Sequence, residues 1–298
     1  MKQRRALLLL LFFGMWWAFT IPLTKIAVST GHPPIGLIFW QLLISGAIMF
    51  LVIQVQGRRI RLDRSALRHY LTIALLGTIL PNSFSYFAAA QLPAGIMAII
   101  IASVPMFAML IALGIGLERL SVVRMIGVLL GALSVIVLIG PEASLPEPDK
   151  AVFVFVALVA PLCYGLEGNY ISAKSPPGID PVSALCGASG VGVLICAPLV
   201  WFGNYWVDLS LPWGAPEKAL VVSSLIHALV YSGYIWLVGV TSAVFASQIA
   251  YVVTLGGVFF SGLILSERYS SWVFLALGLM IAGLILVQPR ERKLRSRT

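Results

Sequence analysis

One acidic residue lies deep inside an apolar stretch, where an ionisable group is rare and costly. Glu167, in CYGLEGNYIS, comes about seven residues before the end of that stretch, or roughly 10 Å along a helix at 1.5 Å per residue. Such a carboxylate could exchange protons or bind an amine of a ligand. Alternatively, it packs between helices and is satisfied by Asn169 or by a hydroxyl group. Glu167 is the central candidate for a functional site.

Other polar side chains recur within apolar stretches. One polar cluster, in the apolar stretch at residues 70–90, consists of Asn82, Ser83, Ser85 and Tyr86. A second, in the stretch at residues 217–238, consists of Tyr231, Ser232 and Tyr234, and the two clusters suggest a shared polar surface. His227 could line a cavity or be packed and hydrogen-bonded, and Trp17 could face the same cavity or lipid. The predicted cavity-lining residues are Trp17, Gln41, Asn82, Tyr86, Glu167, His227, Tyr231, Gln248, Tyr251 and Thr254.

Motifs of soluble enzymes and metal sites are missing from the sequence. It contains neither a phosphate loop of the form G-x-x-x-x-G-K-[ST] nor an HExxH motif. The three cysteines, Cys163, Cys186 and Cys196, lie in apolar runs without a CxxC spacing. A serine nucleophile acting with His227 and Glu167 is conceivable, but nothing in the sequence orders these residues. We therefore expect no cofactor, no metal and no enzyme activity, with an intramembrane enzyme as the least favoured alternative.

The amino-acid composition indicates that membrane-spanning helices position these side chains. Of the 298 residues, 60% are hydrophobic and 10% charged, far from the balance of soluble proteins. A membrane-spanning helix needs about 20 apolar residues. The sequence predicts an all-α membrane protein with ten transmembrane helices, at about residues 6–28, 34–55, 70–90, 94–117, 122–140, 151–173, 181–203, 217–238, 242–266 and 271–288.

Basic residues are distributed unevenly about these spans. Counted over loops and termini, 16 lysines and arginines fall on the side of both termini and 4 on the other. The positive-inside rule then places both termini in the cytoplasm. Because the charges flank apolar spans, the net charge of +9 indicates membrane topology, and we expect no nucleic-acid partner.

A short pattern repeats at half the chain length. Glu118-Arg119 and Glu267-Arg268 are 149 residues apart, and the same offset relates Lys25 to Lys174 and Ser121 to Ser270. Each half would hold five spans, so the second half must be inverted relative to the first. We predict repeats at residues 1–141 and 150–290, followed by a basic cytoplasmic tail at 291–298.

These repeated residues have two possible roles. The Glu-Arg pairs could form interfacial turns, with the serine capping the next helix, or they could form gating ion pairs. Lys25 could simply extend to the interface. The predicted gating or repeat-turn residues are Lys25, Lys174, Glu118, Arg119, Glu267 and Arg268.

Two stretches resemble a known family. WAFTIPLTK, from Trp17 to Lys25, is similar to the W-G-S-N-F-x-x-x-K-like opening of EamA-type proteins in the drug/metabolite transporter superfamily. ASVPMFAMLIALGIGLERLS, with Pro105 thirteen residues before Glu118, resembles the fourth-span signature of that family. Four positions depart from the family pattern: Ala18, Thr20, Gln41 and Thr254.

The resemblance implies ten helices around a central cavity and the transport of small metabolites. Inverted repeats are also the architecture of secondary transporters. We therefore expect a secondary active transporter of an amino acid or related compound, acting in export by alternating access, with Glu167 as the coupling residue. A channel or a lipid flippase is the alternative, and a non-transporting membrane partner is less favoured. We expect a bacterial inner-membrane protein, monomeric or weakly dimeric, whose partners are a small-molecule substrate and membrane lipids.

Overall fold

The computed structural model describes residues 3–139, 148–240 and 248–287. These residues form helices and connecting turns, without a strand among them. We number the long helices α1 to α10. Their bounds are α1 Gln3–Val28, α2 Pro34–Val55, α3 Arg64–Gln91, α4 Ala94–Gly114, α5 Val122–Ile139, α6 Val152–Lys174, α7 Pro181–Phe202, α8 Ala215–Val240, α9 Ile249–Leu265 and α10 Ser271–Val287.

The predicted fold class is confirmed. Seven of these helices are long and apolar enough to cross a membrane, and α9 and α10 are shorter apolar helices. The predicted start of the third span was wrong, because α3 begins at Arg64 rather than at residue 70. Asp63 explains the early start, since its side chain accepts hydrogen bonds from the amides of Ser65 and Ala66. The predicted ninth span starts at residue 242, but residues 241–247 and the tail at 291–298 lie outside the described residues.

Helix packing follows an approximate twofold relation between the halves. Helix α1 packs against α8 and α9, and its counterpart α6 packs against α3 and α4. Two further contacts, α2 with α7 and α5 with α10, each join a helix to its own counterpart. The second-half helices begin close to 149 residues after those of the first half, as in Val122 of α5 and Ser271 of α10.

Consecutive helices alternate in direction, so the bundle has two ends. The basic face is the end that carries residues 58–68, and it also holds the end of α6 because Arg61 donates to the carbonyl of Pro177. The opposite face holds the end of α1 and the α3–α4 turn. An apolar core with buried Ile96, Ile99 and Met280 lies between the two ends.

Helices α5 and α10 cross at small residues. A Cβ atom on Gly127 would lie 2.8 Å from the carbonyl oxygen of Gly283, and one on Gly283 would lie 2.7 Å from that of Gly127. At a second point of the same crossing, the Ser134 hydroxyl donates to the carbonyl of Ala276 at 2.6 Å. Small side chains let the two backbones approach closely in the membrane.

Helix α3 is interrupted by a π-helical turn. It is α-helical over Arg64–Ile73 and Leu80–Gln91, with π-helical hydrogen bonding over Ala74–Ile79. Pro81 lies two residues after this turn. It has no amide hydrogen, and its ring would clash with the carbonyl of Gly77 in a regular α-helix. A wider turn relieves this conflict, and such turns are frequent at functional sites.

Candidate functional site

The π-helical turn of α3 faces the carboxyl group of Glu167 on α6. Glu167 is 7% exposed, and a Cβ atom on Gly77 would overlap both carboxylate oxygens. Glycine at position 77 therefore leaves the space that the carboxyl group fills. Among the described residues, Oε1 of Glu167 has no hydrogen-bond partner, which is costly for a buried polar atom.

Three tyrosines surround this carboxyl group. The Tyr231 hydroxyl, on α8, interacts directly with the carboxyl group, and Tyr164 and Tyr234 are close enough to interact with it electrostatically. Tyr164 lies one turn before Glu167 on α6, so the two share a helix face. The carboxyl group is thus surrounded by hydroxyl groups from two helices of the second half, α6 and α8.

A hydrogen-bonded network extends from this site to α2. The Tyr164 hydroxyl donates to Oδ1 of Asn82 at 3.2 Å, and Nδ2 of Asn82 donates to Oε1 of Gln41 at 3.1 Å. The Tyr86 hydroxyl donates to the same oxygen of Gln41. Gln41 and Asn82 are buried, so this polar network lies inside the helix bundle.

Aromatic contacts bring two more predicted residues to the site. The ring of His227 stacks on Tyr231, with centroids 5.7 Å apart and an interplanar angle of 27°. Trp17 meets Tyr234 edge to face at 5.9 Å. The structure therefore gathers seven predicted residues around one polar centre: Trp17, Gln41, Asn82, Tyr86, Glu167, His227 and Tyr231.

Three predicted residues are not joined to this centre by any contact among the described residues. The buried Thr254 hydroxyl donates to the carbonyl of Ala250, one turn back on α9. Gln248 precedes α9, and Tyr251 packs against the apolar core. A threonine in a helix commonly satisfies its hydroxyl in this local way.

Of the two partners predicted for a packed Glu167, the structure shows a hydroxyl group, that of Tyr231, and not Asn169. The side-chain amide of Asn169 donates to the carbonyls of Ala108 and Gly165, at 2.9 and 2.8 Å. On a helix, residues two apart point in different directions, so Asn169 and Glu167 face different neighbours. The carboxyl group of Glu167 therefore interacts with the tyrosine hydroxyl groups and not with Asn169.

Two site residues, Tyr164 and Gly77, were missed by the sequence prediction. Tyr164 carried a usable signal, because it is three residues before Glu167 on the same helix. Gly77 carried none, since one of 27 glycines cannot be assigned to a neighbouring helix from sequence alone.

On the opposite face, two predicted turn residues bind the turn between α3 and α4. Lys25, at the end of α1, donates from Nζ to the carbonyls of Ala89, Ala90 and Leu92 at 2.6, 3.2 and 2.9 Å. Glu267, from the α9–α10 turn, accepts from the amides of Ala94 and Gly95 at 2.7 and 3.1 Å. We call these contacts the outer latch. The contacts of Glu267 join the two halves of the chain at this face, and those of Lys25 join α1 to the α3–α4 turn within the first half.

The residues related to the outer latch are arranged differently on the basic face. Lys174 is exposed and makes no hydrogen bond or ion pair with any described residue. Glu118 is exposed and pairs with Arg124 at 3.0 Å. Its neighbour Arg119 is exposed, as is Arg268 in the second copy. Neither copy shows an ion pair between its adjacent Glu and Arg within the part of the chain described.

The predicted cap at Ser270 was also wrong. The hydroxyl of Ser270 is buried and has no partner among the described residues. Glu267 instead accepts a hydrogen bond from the Tyr269 hydroxyl at 2.6 Å, and its carboxylate occupies the start of α4. A carboxylate is favoured there because free amides and the helix dipole both point toward it.

The chemistry available at the centre is that of one buried carboxyl group among hydroxyl and amide groups. Such a group can exchange a proton or accept hydrogen bonds from an amine. In the described residues, no three His, Cys, Asp or Glu side chains are grouped to bind a metal. A central polar site inside a bundle of inverted helical repeats is the arrangement found in membrane transporters.

Comparison with known proteins agrees with this class. The model of the EamA-like transporter family matches the chain twice, at residues 4–140 and 152–288, so the chain belongs to the EamA-like transporter family. An uncharacterized transporter of Bacillus subtilis (strain 168), YvbV, is 23% identical over 297 residues, covering 98% of this chain and 94% of that protein. A solved crystal structure matches with a TM-score of 0.62 at 18% identity, covering 96% of each chain. At this identity the likeness concerns the fold.

Proposed function

We propose that the protein is a secondary active transporter that exports a small metabolite, an amino acid or related compound, by alternating access. Its membership of a transporter family and the name of its B. subtilis relative support transport. The polar centre between α3, α6 and α8 is the proposed substrate site. The proposed setting is a bacterial inner membrane, with the basic face and both termini in the cytoplasm and the protein as a monomer or weak dimer.

The observation that carries this proposal is the unequal use of repeat-related residues. Lys25 makes three hydrogen bonds across the opposite face, whereas Lys174 is exposed on the basic face. Two inverted copies of one motif in different states are what alternating access requires. We infer that this difference corresponds to one of the two states of the transport cycle, in which the outer latch is formed.

Glu167 is the proposed coupling residue. It is buried, it contacts α3 through Gly77, and it interacts with α8 through Tyr231. A change in its protonation would alter interactions with both helices at once. Protonation and substrate binding could therefore bias the same conformational equilibrium.

A flux assay tests the proposal. Purified protein in liposomes would be supplied with a panel of radiolabelled amino acids and related metabolites, with and without an imposed proton gradient. Saturable, substrate-selective flux that responds to the gradient is the expected result. Conductance without saturation would indicate a channel, scrambling of labelled lipid would indicate a flippase, and either result would overturn the proposal.

A further inference from the structure

A groove opens on the basic face where α3 begins and α6 ends. It has a volume of about 400 Å³ and is lined by Arg64, Ser65, Arg68, Tyr170, Lys174 and Pro176. Three of these six residues are cationic, and all three have exposed side chains. The groove therefore combines a concave surface with a concentration of positive charge.

The charge in this groove is not neutralised by the residues described. Nearby arginines outside it do have acidic partners: Arg58 pairs with Asp180 at 3.1 Å, and Arg61 pairs with Asp63 at 2.8 Å. Arg64, Arg68 and Lys174 form no ion pair within the described residues. Asp180 and Asp63 thus pair with arginines beside the groove. The cationic side chains that line the groove remain available to a ligand.

The groove lies on the same side of α6 as the central site. Tyr170 and Lys174 follow Glu167 by three and seven residues, a spacing that places all three on one helix face. Tyr170 stacks on His69 of α3, with centroids 5.6 Å apart and an interplanar angle of 29°. His69 is 3% exposed, and its Nδ1 has no hydrogen-bond partner among the described residues. The stacked pair therefore lies beside the groove, with Tyr170 one helical turn from Glu167.

We propose that this groove is an anion-binding site that receives the phosphate or carboxylate group of the transported metabolite at the basic face. Arginine guanidinium groups match the geometry of both anions, and Lys174 adds a third positive charge. The assignment of the anion to a substrate rests on the proposed transport function, whereas anion binding itself does not.

Inorganic phosphate is a suitable probe. The purified protein, in nanodiscs of phosphatidylcholine alone, would be titrated with phosphate by calorimetry at constant ionic strength. We expect saturable binding that weakens on the order of tenfold in Arg68→Gln. The matched control is Arg59→Gln, because Arg59 is exposed on the same face, outside the groove and without a partner among the described residues. Lys174→Gln serves as a second variant should Arg68→Gln fail to fold.

A second set of nanodiscs, containing phosphatidylglycerol, separates the two sources of phosphate. Unchanged affinity for free phosphate supports a soluble substrate group. A loss of affinity in these discs would assign the groove to lipid headgroups and overturn the substrate assignment. Absence of binding, or equal weakening by Arg59→Gln, would overturn the site itself. Saturable flux without phosphate binding would contradict this inference alone. Phosphate binding without flux would contradict the proposed transport function and the substrate assignment that rests on it, and would leave the anion site in place.

Discussion

The carboxyl group of Glu167 lies against Gly77, in a π-helical turn of another helix, where any side chain would overlap it. This contact makes the site sensitive to the smallest possible substitution. Gly77→Ala should force the carboxyl group away from its position, and overpacking of this kind costs about 1–3 kcal/mol. We expect transport to fall at least tenfold, measured as initial flux in liposomes.

The control for this substitution is Gly168→Ala. Gly168 is adjacent to Glu167 in sequence, but a Cβ atom there would have nothing within 4 Å. Alanine also favours a helix over glycine, so this variant should be folded and active. Equal activity of both variants would show that the space at Gly77 does not matter.

Glu167→Gln tests the charge of the same group without changing its size. If Glu167 couples protons, gradient-driven accumulation should be lost while exchange of labelled for unlabelled substrate continues, because exchange moves no net protons. If it binds a substrate amine, both activities should weaken, with affinity falling on the order of tenfold or more. Unchanged flux, affinity and pH dependence in a folded variant would assign Glu167 to packing.

The outer latch can be tested by labelling. Leu92 is 0% exposed, and its carbonyl accepts a hydrogen bond from Lys25. A cysteine at position 92 should resist a membrane-impermeant maleimide applied to the opposite face, and Lys25→Met should make it reactive. Lys174→Met, which removes the repeat-related lysine, should leave it protected. Equal reactivity with and without Lys25 would contradict a latch.

Topology can be tested at Leu62, which is 71% exposed on the basic face. If the positive-inside rule holds for this chain, a cysteine at position 62 should be labelled in inside-out vesicles and protected in intact cells. Labelling from outside intact cells would reverse the proposed orientation, together with the assignment of the groove to the cytoplasmic side.

Asp180 provides a test of stability against pH. Burial raises the pKa of its carboxyl group, but hydrogen bonds from Ser183 and the positive charge of Arg58 outweigh burial, so the pKa lies below its usual value. A lowered pKa means that the folded state is stabilised above the usual pKa of about 3.9, and that this stabilisation is lost as the pH falls through the folded value.

Asp180→Ala should therefore destabilise the protein near neutral pH, by about 0.5–2 kcal/mol for a lost helix cap. The difference from the unmodified protein should stay constant from about pH 7 to about pH 5 and shrink as the pH falls below the usual pKa of about 3.9. Apparent melting temperature in detergent measures the effect, with Asp149→Ala as the control for a loss of negative charge. A difference that does not depend on pH would contradict this account.

Much of the fold could be predicted because its causes are local in sequence. Apolar runs of span length predict the helices, and an offset of 149 residues predicts the repeat. Both patterns can be read along the sequence without knowing which helices contact each other. The start of α3 was less evident, because the cap at Asp63 extends that helix beyond its apolar run.

The candidate site was only partly predictable. Glu167 and Asn82 could be identified because polar groups are costly in apolar segments. The same criterion also selected Thr254, whose hydroxyl donates to a carbonyl of its own helix. Gly77 and the partners of Lys25 depend on which helices meet. No local pattern encodes the carbonyls that Lys25 binds, because every residue of the chain carries one.

The crossing of α5 and α10 has a consequence for how such a chain could arise. Gly127 contacts Gly283, and the positions 149 residues away, Ala276 and Ser134, contact each other in the same crossing. A single five-helix chain with small residues at the two positions now occupied by Gly127 and Ser134 could make both contacts with an inverted copy of itself. The crossing would then be a homodimer interface, and joining the two copies would free each position to change separately. The present pairs, Gly with Ala and Ser with Gly, are what such independent change leaves behind.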